Sequence, residues 1–356
     1  MKILHIAPRY YPRIGGVEKC VKTLAEAFSK RHDVTVLTTQ NEPIQTEEII
    51  NGVRVIRVLA FSPKQAYHLP IGMVHALKHI EKDLIHIHNF HSLTFLSCLP
   101  IIRETPVVAS PYYHGFGHTI LRDRLHFFYR PLGRRVLSGA SSVVCLSATE
   151  KSLVCNKLGQ APHKVTVIPP ILPELQPVCK AGNRMIVSVG RLEQYKGHQY
   201  AIKAMKELRD YTLMIVGDGP YRHHLQDLVH RMGLGERVSL IGSRSHAETL
   251  QIMRDSGILL LLSRRESYGL VVAEALLLGV PCLVFASSAL KEWIDNKACF
   301  GIEDPSDTSN LALRIREVAA TKRIRYRKMQ TKSDMVEQLL NQIYTNAIER
   351  EARLGS

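Results

Sequence analysis

Two glutamates, Glu266 and Glu274, lie eight positions apart in the segment RRESYGLVVAEALLLGVP. Glu266 follows an apolar run typical of a buried strand, and Glu274 falls inside the helix that comes next. The helix N-terminus between them offers backbone N–H groups near Gly269, which can seat a phosphate. Carboxylates accept hydrogen bonds from hydroxyl groups. The segment therefore predicts a sugar-nucleotide site, with a diphosphate between two sets of sugar hydroxyls.

The alternative for these glutamates is an ordinary surface role, with Glu266 at a strand end and Glu274 on a solvated helix face. The residues around Glu274 are almost all apolar, however. A buried carboxylate is costly unless it has partners. This favours the binding interpretation.

Two cations, Arg191 and Lys196, follow an apolar run in VSVGRLEQYKG. We expect both at the C-terminal end of a strand, facing a cleft. The diphosphate of a departing nucleotide gains negative charge, which fixed cations can neutralise. No two aspartates have the spacing D-x-D, so we expect no metal ion and no separate cofactor. The alternative is a pair of ordinary surface cations.

Gly15 and Gly16 lie between the first apolar run and the first helical pattern, where backbone amides can face a phosphate. The chain has neither G-x-G-x-x-G nor G-x-x-x-x-G-K-[ST]. The absence of both motifs argues against dinucleotide-binding and P-loop proteins.

Short apolar runs alternate with amphipathic helical stretches along the chain, a pattern that predicts parallel strands joined by helices. A proline-rich stretch at 169–183 interrupts the pattern and is interpreted as an interdomain linker. We expect domains at 1–172 and 173–334, with a last helix at about 335–356 that could belong to either domain and is assigned here to the first. The predicted strands are 2–7, 33–39, 53–58, 83–88, 106–110, 141–147, 164–169, 185–190, 211–217, 237–242, 257–263 and 281–287.

The composition supports this division, because 356 residues with 45% hydrophobic content exceed one ordinary domain. The net charge of +15 favours an anionic partner. No apolar run is long enough for a transmembrane span, and the N-terminus does not fit a signal peptide. We expect a cytoplasmic protein. The seven scattered cysteines are expected to be reduced.

Several motifs together resemble the large family-four group of retaining glycosyltransferases. They are IGGVEK, SVGRLEQYKG, MIVGDGP, LIGSRSHAE and ESYGLVVAE, the last with the E-x7-E spacing of that family. The resemblance implies a GT-B fold, in which two doubly wound, Rossmann-like α/β domains face each other across a cleft. It also implies metal-independent transfer of a hexosyl group from a UDP- or GDP-linked sugar, with retention at the anomeric carbon.

The resemblance also implies roles for individual residues. Arg191 and Lys196 would bind the diphosphate, Glu274 the ribose and Glu266 the donor sugar. A histidine near the reacting carbon would be His114, with His118 as the second choice. The remaining donor-binding residues would be Gly15, Gly16, Gly242, Ser243, Arg244, Tyr268, Gly269, Leu270 and Val271.

Two basic segments suggest further partners. Residues 120–135 mix arginines with apolar side chains and could lie on an anionic membrane, where a lipid-linked acceptor would be delivered. The alternative, which the pattern favours, is a helix that packs on the core and turns its arginines to solvent. A glycan acceptor is the other expectation. Residues 322–328 form a second basic cluster, which could bind lipid headgroups or nucleic acid but is best explained as a solvated helix face. A nucleotide-sugar epimerase and a basic nucleic-acid-binding module stay open as alternative functions, the latter disfavoured.

Overall fold

The computed structural model describes residues 1–12, 15–41, 46–61, 69–102, 104–115, 120–177, 184–321 and 333–355. Within these ranges it does not describe the side chains of 120–128, 333–335, 351 and 353–355. The chain divides into two units, residues 1–171 with 331–356, and residues 172–330. Among the described residues, no helix is both long and apolar enough to cross a membrane.

The strands of the first unit form one mainly parallel sheet in the order β3-β4-β2-β1-β6-β7-β8-β9, and β5 pairs with β4. Strands β3 and β5 are antiparallel to β4. The strands are β1 (Lys2–Ile6), β2 (Asp33–Gln40), β3 (Thr46–Ile50), β4 (Val53–Phe61), β5 (Leu69–Pro70), β6 (Leu84–His88), β7 (Val107–Ser110), β8 (Ser142–Cys145) and β9 (Val165–Val167). Its helices are α1 (Gly16–Ser29), α2 (Met73–His79), α3 (Ile120–Gly139), α4 (Ala148–Leu158) and the C-terminal helix Ser333–Gly355.

Both faces of this sheet are buried, each in its own core cluster. Alternate residues of a strand point to opposite faces, so neighbouring residues join different clusters. Leu4 and Ile6 pack into one core cluster, and Ile3 into the other. The cluster around Ile3 includes Val21 of α1 and Leu340 of the C-terminal helix. The last helix therefore packs on the first unit.

The second unit has a parallel sheet in the order β12-β11-β10-β13-β14-β15. The strands are β10 (Met185–Val189), β11 (Thr212–Val216), β12 (Val238–Gly242), β13 (Ile258–Leu261), β14 (Cys282–Phe285) and β15 (Cys299–Ile302). The helices are α5 (His198–Ala204), α6 (Arg222–Arg231), α7 (His246–Asp255), α8 (Leu270–Leu277) and α9 (Thr308–Ala319), and the C-terminal helix named above is α10.

The α/β class with two doubly wound sheets is confirmed, and each of the twelve predicted strands overlaps an observed one. Three further strands, β3, β5 and β15, were not predicted. Strand β3 is mostly exposed and has no apolar face, and β5 has only two residues. Strand β15 contains Gly301, which interrupts its apolar pattern. The described cysteines are unbonded, as expected, and Cys179 lies outside the described residues.

Candidate functional site

In the second unit, the loop after β13 is held against the short helical turn Ser288–Trp293. The indole Nε1 of Trp293 donates to the carbonyl oxygen of Tyr268 at 2.6 Å. Gly269, the next residue, has a φ of 94°, in the region that favours glycine. A Cβ at Gly269 would lie only 2.8 Å from the side chain of Leu290. This position therefore requires glycine, both for its backbone angle and for the space available.

Helix α8 begins directly after Gly269 with no side-chain cap. The N–H groups of Val272 and Ala273 bond to the carbonyl oxygen of Gly269. The amides of Leu270 and Val271 therefore precede the hydrogen-bond ladder of the helix. Such first-turn amides, together with the helix dipole, form an anion-binding position.

Glu266, three residues before Gly269, forms an ion pair with Lys196, with 2.6 Å between Nζ and Oε1. Both side chains are largely buried, at 15% and 16% exposure. Burial disfavours the charged ammonium, but the Glu266 carboxylate outweighs it and raises the pKa of Lys196. The backbone N–H of Glu266 donates to the hydroxyl of Ser288 at 3.0 Å. The pair therefore keeps one fixed, permanently charged cation at the end of the sheet.

Arg191 is held differently, by a carboxylate in its own loop. Its Nε donates to Oε1 of Glu193 at 3.1 Å, and its side chain is about half exposed. The N–H of the intervening Leu192 bonds to the carbonyl oxygen of Asp218, which follows β11. The loop that carries Arg191 is thus fixed to the loop after β11. The half-exposed guanidinium can still reach an anion.

Glu274 is buried within α8 and has a partner that sequence reasoning missed. Its Oε1 lies 3.2 Å from Nε2 of His246, at the start of α7. Ser245 caps α7 in a reciprocal capping box with Glu248. The S-x-x-E spacing in SRSHAE was a signal for this helix start. It could have placed His246 on the first turn, but not against Glu274.

The end of β12 provides the segment expected to contact the base. Gly242 has a φ of 77°, and its carbonyl oxygen accepts from the N–H of Gly217, which follows β11. Ser243 and Arg244 are exposed, and the Arg244 guanidinium bonds to the carbonyl oxygen of Ser243. The backbone here is fixed, while these two side chains face solvent.

All of these groups follow strands of one parallel sheet at its C-terminal edge. Lys196 and Arg191 follow β10, Glu266 and α8 follow β13, and Gly242 ends β12. The structure brings Lys196 into direct contact with Glu266, and it pairs Arg191 and Glu274 with Glu193 and His246 instead.

In the first unit, α1 begins at Gly16 after an extended Gly15. A Cβ at Gly15 would overlap with the carboxylate of Glu18, which lies in the first turn of α1. The N-terminus of α1 therefore lies next to the carboxylate of Glu18. Sequence reasoning did not consider this acid.

His114 follows β7 in the first unit. Its ring stacks on that of His91, which follows the adjacent β6, with centroids 4.3 Å apart and an angle of 12° between planes. Sequence reasoning did not single out His91, although DLIHIHNFH places it just after a predicted strand. His118, the side chains of 120–128 and the basic cluster 322–328 lie outside the described residues.

One buried cluster, His5, His86 and His88, has ring nitrogens close enough to hold a metal ion, and it is the only such group of three among the described residues. Five of the six ring nitrogens have a hydrogen-bond partner, whereas His5 Nε2 is buried with none among the described residues. His5 Nδ1 lies 3.0 Å from His88 Nε2, and His86 lies between the hydroxyls of Tyr344 and Ser110. Burial lowers the pKa of His5 to about 3, and those of the other two well below the usual value. The cluster is a neutral hydrogen-bonded network in the core.

Comparison with known proteins matches each half of the chain to a family model. Residues 14–172 match Glycosyltransferase Family 4, and residues 176–334 match Glycosyl transferases group 1. A curated relative is alpha-monoglucosyldiacylglycerol synthase of Streptococcus pneumoniae, which is 25% identical over 336 residues, 83% of this chain and 74% of that protein.

Solved structures of similar fold cover nearly the whole chain. Sucrose-phosphate synthase from Thermosynechococcus elongatus has a TM-score of 0.78 at 20% identity, covering 99% of this chain and 98% of that one. The Anabaena protein HepE, in complex with UDP-glucose, has a TM-score of 0.70 at 18% identity and covers 99% of both chains. These likenesses confirm the GT-B fold.

Proposed function

We propose an activity for this chain, which belongs to the glycosyltransferases that combine a family-four N-terminal domain with a group-1 C-terminal domain. It moves a hexosyl group from a UDP- or GDP-linked sugar to a lipid-linked or glycan acceptor, with retention at the anomeric carbon. The observation that carries the proposal is the buried Lys196–Glu266 ion pair beside the open start of α8. This arrangement offers a cation, two amides and a hydroxyl acceptor to one sugar diphosphate.

Bond breaking explains why the cations are needed. The bond between the anomeric carbon and the β-phosphate oxygen breaks, and its electron pair stays on the phosphate. We assign the neutralisation of that charge to Lys196 and Arg191, assisted by the amides of Leu270 and Val271. Lys196 uses one of its three ammonium hydrogens for Glu266, which leaves others for phosphate.

Bond formation takes place on the same face of the sugar. The acceptor hydroxyl attacks the anomeric carbon as the phosphate leaves, and its proton passes to the departing phosphate oxygen. No protein side chain acts as a covalent nucleophile in this scheme. His114 hydrogen-bonds the donor sugar near the reacting carbon, and Glu266 accepts from the sugar hydroxyls.

Glu274 is assigned to the ribose hydroxyls, because its buried carboxylate keeps one oxygen beside His246 and has further acceptor capacity. The base is assigned to the fixed backbone near Gly242. Ser243 and Arg244 complete that pocket. The first-unit glycines, Gly15 and Gly16, are assigned to the phosphate side of the donor.

Metal independence is part of the proposal, because the charge of the leaving group is met by side chains. A permanently charged Lys196 performs the electrostatic task that a divalent ion performs in other sites. We therefore expect transfer to continue in excess EDTA. Its loss in EDTA, with recovery on adding Mg²⁺ or Mn²⁺, would contradict this part.

The acceptor class rests on a comparison. The pneumococcal relative is named for a diacylglycerol product with an alpha-linked glucosyl group. A lipid-bearing acceptor and an alpha product agree with retention from an alpha-linked donor. We expect the product's anomeric proton to show the same configuration as the donor in NMR spectra.

The test is a thermal-shift panel of UDP-, GDP- and ADP-sugars, since a ligand that binds only the native state raises the melting temperature. We expect one nucleotide class to raise Tm by several degrees. The stabilising donor is then incubated alone and followed by NMR. No stabilisation by any donor, or conversion of the donor into an isomeric nucleotide-sugar, would contradict a transferase.

A further inference from the structure

The segment that carries His114 has an unfavourable backbone. Tyr112, two residues earlier, has a φ of 50°, and Asn89, which follows the neighbouring strand β6, has a φ of 69°. A bulky aromatic residue rarely adopts this left-handed region. Such conformations persist only where surrounding contacts enforce them. The contacts around residues 111–115 should therefore show what fixes this segment.

A buried carboxylate provides those contacts. Glu150 on α4 is 1% exposed. Its Oε1 accepts from the backbone N–H of Tyr113 at 2.6 Å, and its Oε2 from that of Leu146 at 2.8 Å. Tyr113 follows β7 and Leu146 follows β8, so one carboxylate joins the loops after two adjacent strands. Burial raises the pKa of Glu150, but the backbone N–H groups that donate to both of its oxygens favour the ionised carboxylate.

The position of Glu150 is itself fixed by its helix. Ser147 is the N-cap of α4, and its hydroxyl accepts from the N–H of Glu150 at 3.1 Å. The carboxylate therefore starts from an anchored backbone and reaches both loop amides. Two acceptor oxygens facing two N–H donors suit a carboxylate and not an amide, since the NH₂ group of glutamine would face a donor.

The held segment ends in stacked rings. The ring of His91 lies between those of Tyr113 and His114, at 5.4 Å and 4.3 Å, with interplanar angles of 11° and 12°. The backbone nitrogen that Glu150 holds belongs to Tyr113, the residue directly before His114. A shift of that nitrogen moves both ends of the stack.

We propose that Glu150 is a positioning residue, which fixes the loop after β7 so that the His114 imidazole keeps its place against His91. The inference rests on the proposed function, in which His114 contacts the donor sugar. Nothing in the family matches or in the resemblance assigns a role to Glu150. On the His114 side, the carboxylate acts through the backbone N–H groups of Tyr113 and Tyr112.

The first experiment compares Glu150→Gln with the matched control Glu104→Gln, an exposed glutamate of the same unit. We expect Glu150→Gln to lower kcat roughly 10- to 100-fold, since a displacement of about 1 Å costs that much. The KM for the donor should stay within twofold, because the cations proposed for the diphosphate and the carboxylate proposed for the ribose lie in the other unit. Glu104→Gln makes the same chemical change at an exposed position and should keep kcat within twofold.

The second experiment places Glu150→Gln in a His114→Ala background. If Glu150 acts through His114, the added substitution lowers kcat less than twofold further. An unchanged kcat in the single Glu150→Gln variant, or losses that multiply in the double variant, would overturn the inference. If His114→Ala alone leaves kcat unchanged, the role proposed for His114 fails and the inference fails with it, while transfer itself is still observed.

A third experiment does not depend on enzymatic activity. It therefore tests the inference even if the donor is wrongly chosen. Histidine ring signals in NMR spectra, assigned with His114→Ala and His91→Ala, report the stacking directly. We expect Glu150→Gln to shift the His114 ring signals while the His5 signals stay in place. Unshifted His114 signals in a folded Glu150→Gln protein would overturn the positioning role.

Discussion

The two sheets carry different chemistry at equivalent strand ends. In the second unit, the loops after β10 and β13 present ion pairs, with Lys196 bound to Glu266 and Arg191 to Glu193. In the first unit, the loops after β6 and β7 present stacked rings, and Glu150 is bound to backbone amides instead of a cation. The sheet topology is alike, so the loop residues decide which unit is suited to an anion.

The two units also differ in the charge of their buried titratable side chains. The second unit holds a permanent positive charge by pairing it with a buried carboxylate. The first unit keeps His5, His86 and His88 neutral, because burial lowers their pKa values. The second unit thus offers a fixed cation at its strand ends, whereas the buried histidines of the first unit carry no charge.

The largest effect should come from removing the fixed cation. We expect Lys196→Ala to lower kcat/KM roughly 10²- to 10³-fold, or about 3–4 kcal/mol, because the leaving phosphate loses its strongest neutralising group. Steady-state kinetics with saturating acceptor measures it. The control is Lys203→Ala, an exposed lysine on the nearby α5. Equal effects from Lys196→Ala and Lys203→Ala would show that the fixed cation of the second unit has no special role in transfer.

A smaller effect is expected from Glu274→Gln. The neutral amide accepts ribose hydroxyls less strongly, so the donor Kd should rise roughly 30-fold, or about 2 kcal/mol. Isothermal titration with the stabilising nucleotide measures it. The exposed Glu236→Gln serves as control, with an expected change below twofold. A donor Kd unchanged by Glu274→Gln would place the ribose elsewhere.

The neutral histidines predict how stability depends on pH. Their pKa values in the folded state are lowered, so below about pH 6.5 the unfolded chain binds protons that the folded chain does not. The free energy of unfolding should therefore decrease as the pH is lowered below about 6.5, by about 1.4 kcal/mol per pH unit for each such histidine. Urea denaturation of the first unit's transition at pH 7.5, 6.0 and 5.0 measures it.

The matched variants for this slope are His86→Gln and His75→Gln. His86 is buried between two hydroxyls, whereas His75 is exposed on α2. Replacing His86 removes one titrating group and should make the dependence shallower. Replacing His75 should leave it unchanged. A wild-type stability that is flat between pH 7.5 and 5.0 would show that the cluster takes up protons without unfolding.

The smallest effect concerns the loop before α8. Trp293→Phe removes the hydrogen bond to the carbonyl oxygen of Tyr268, at a cost of about 1 kcal/mol. Because this bond fixes the residue before Gly269, we expect the donor Kd to rise a few-fold while kcat is nearly unchanged. A large fall in kcat with an unchanged Kd would show that the loop acts on chemistry instead of binding.

Much of the fold was accessible from the sequence because parallel strands buried on both faces are continuous apolar runs. The run ILLLL at 258–262, for example, became β13. The missed strands lack that signal, since β3 pairs antiparallel at the sheet edge with exposed side chains. Edge strands owe their position to a partner strand, which local patterns do not show.

The candidate site was less accessible. The types of Lys196 and Glu266 indicated their chemistry, but their ion pair joins residues 70 positions apart and depends on β10 lying beside β13. The contact between His246 and Glu274 and the hydrogen bonds from backbone amides to Glu150 likewise join segments that follow different strands. Each contact depends on the order of strands in the sheet, whereas residue type and spacing report only local structure.

The most direct test of the account is a crystal structure of the protein with the nucleotide diphosphate that raises Tm most. The account predicts the two phosphates at the start of α8, within hydrogen-bond distance of the Leu270 and Val271 amides and of the Lys196 ammonium. Phosphates bound at any other edge of the second sheet, with Lys196 still engaged only by Glu266, would contradict it.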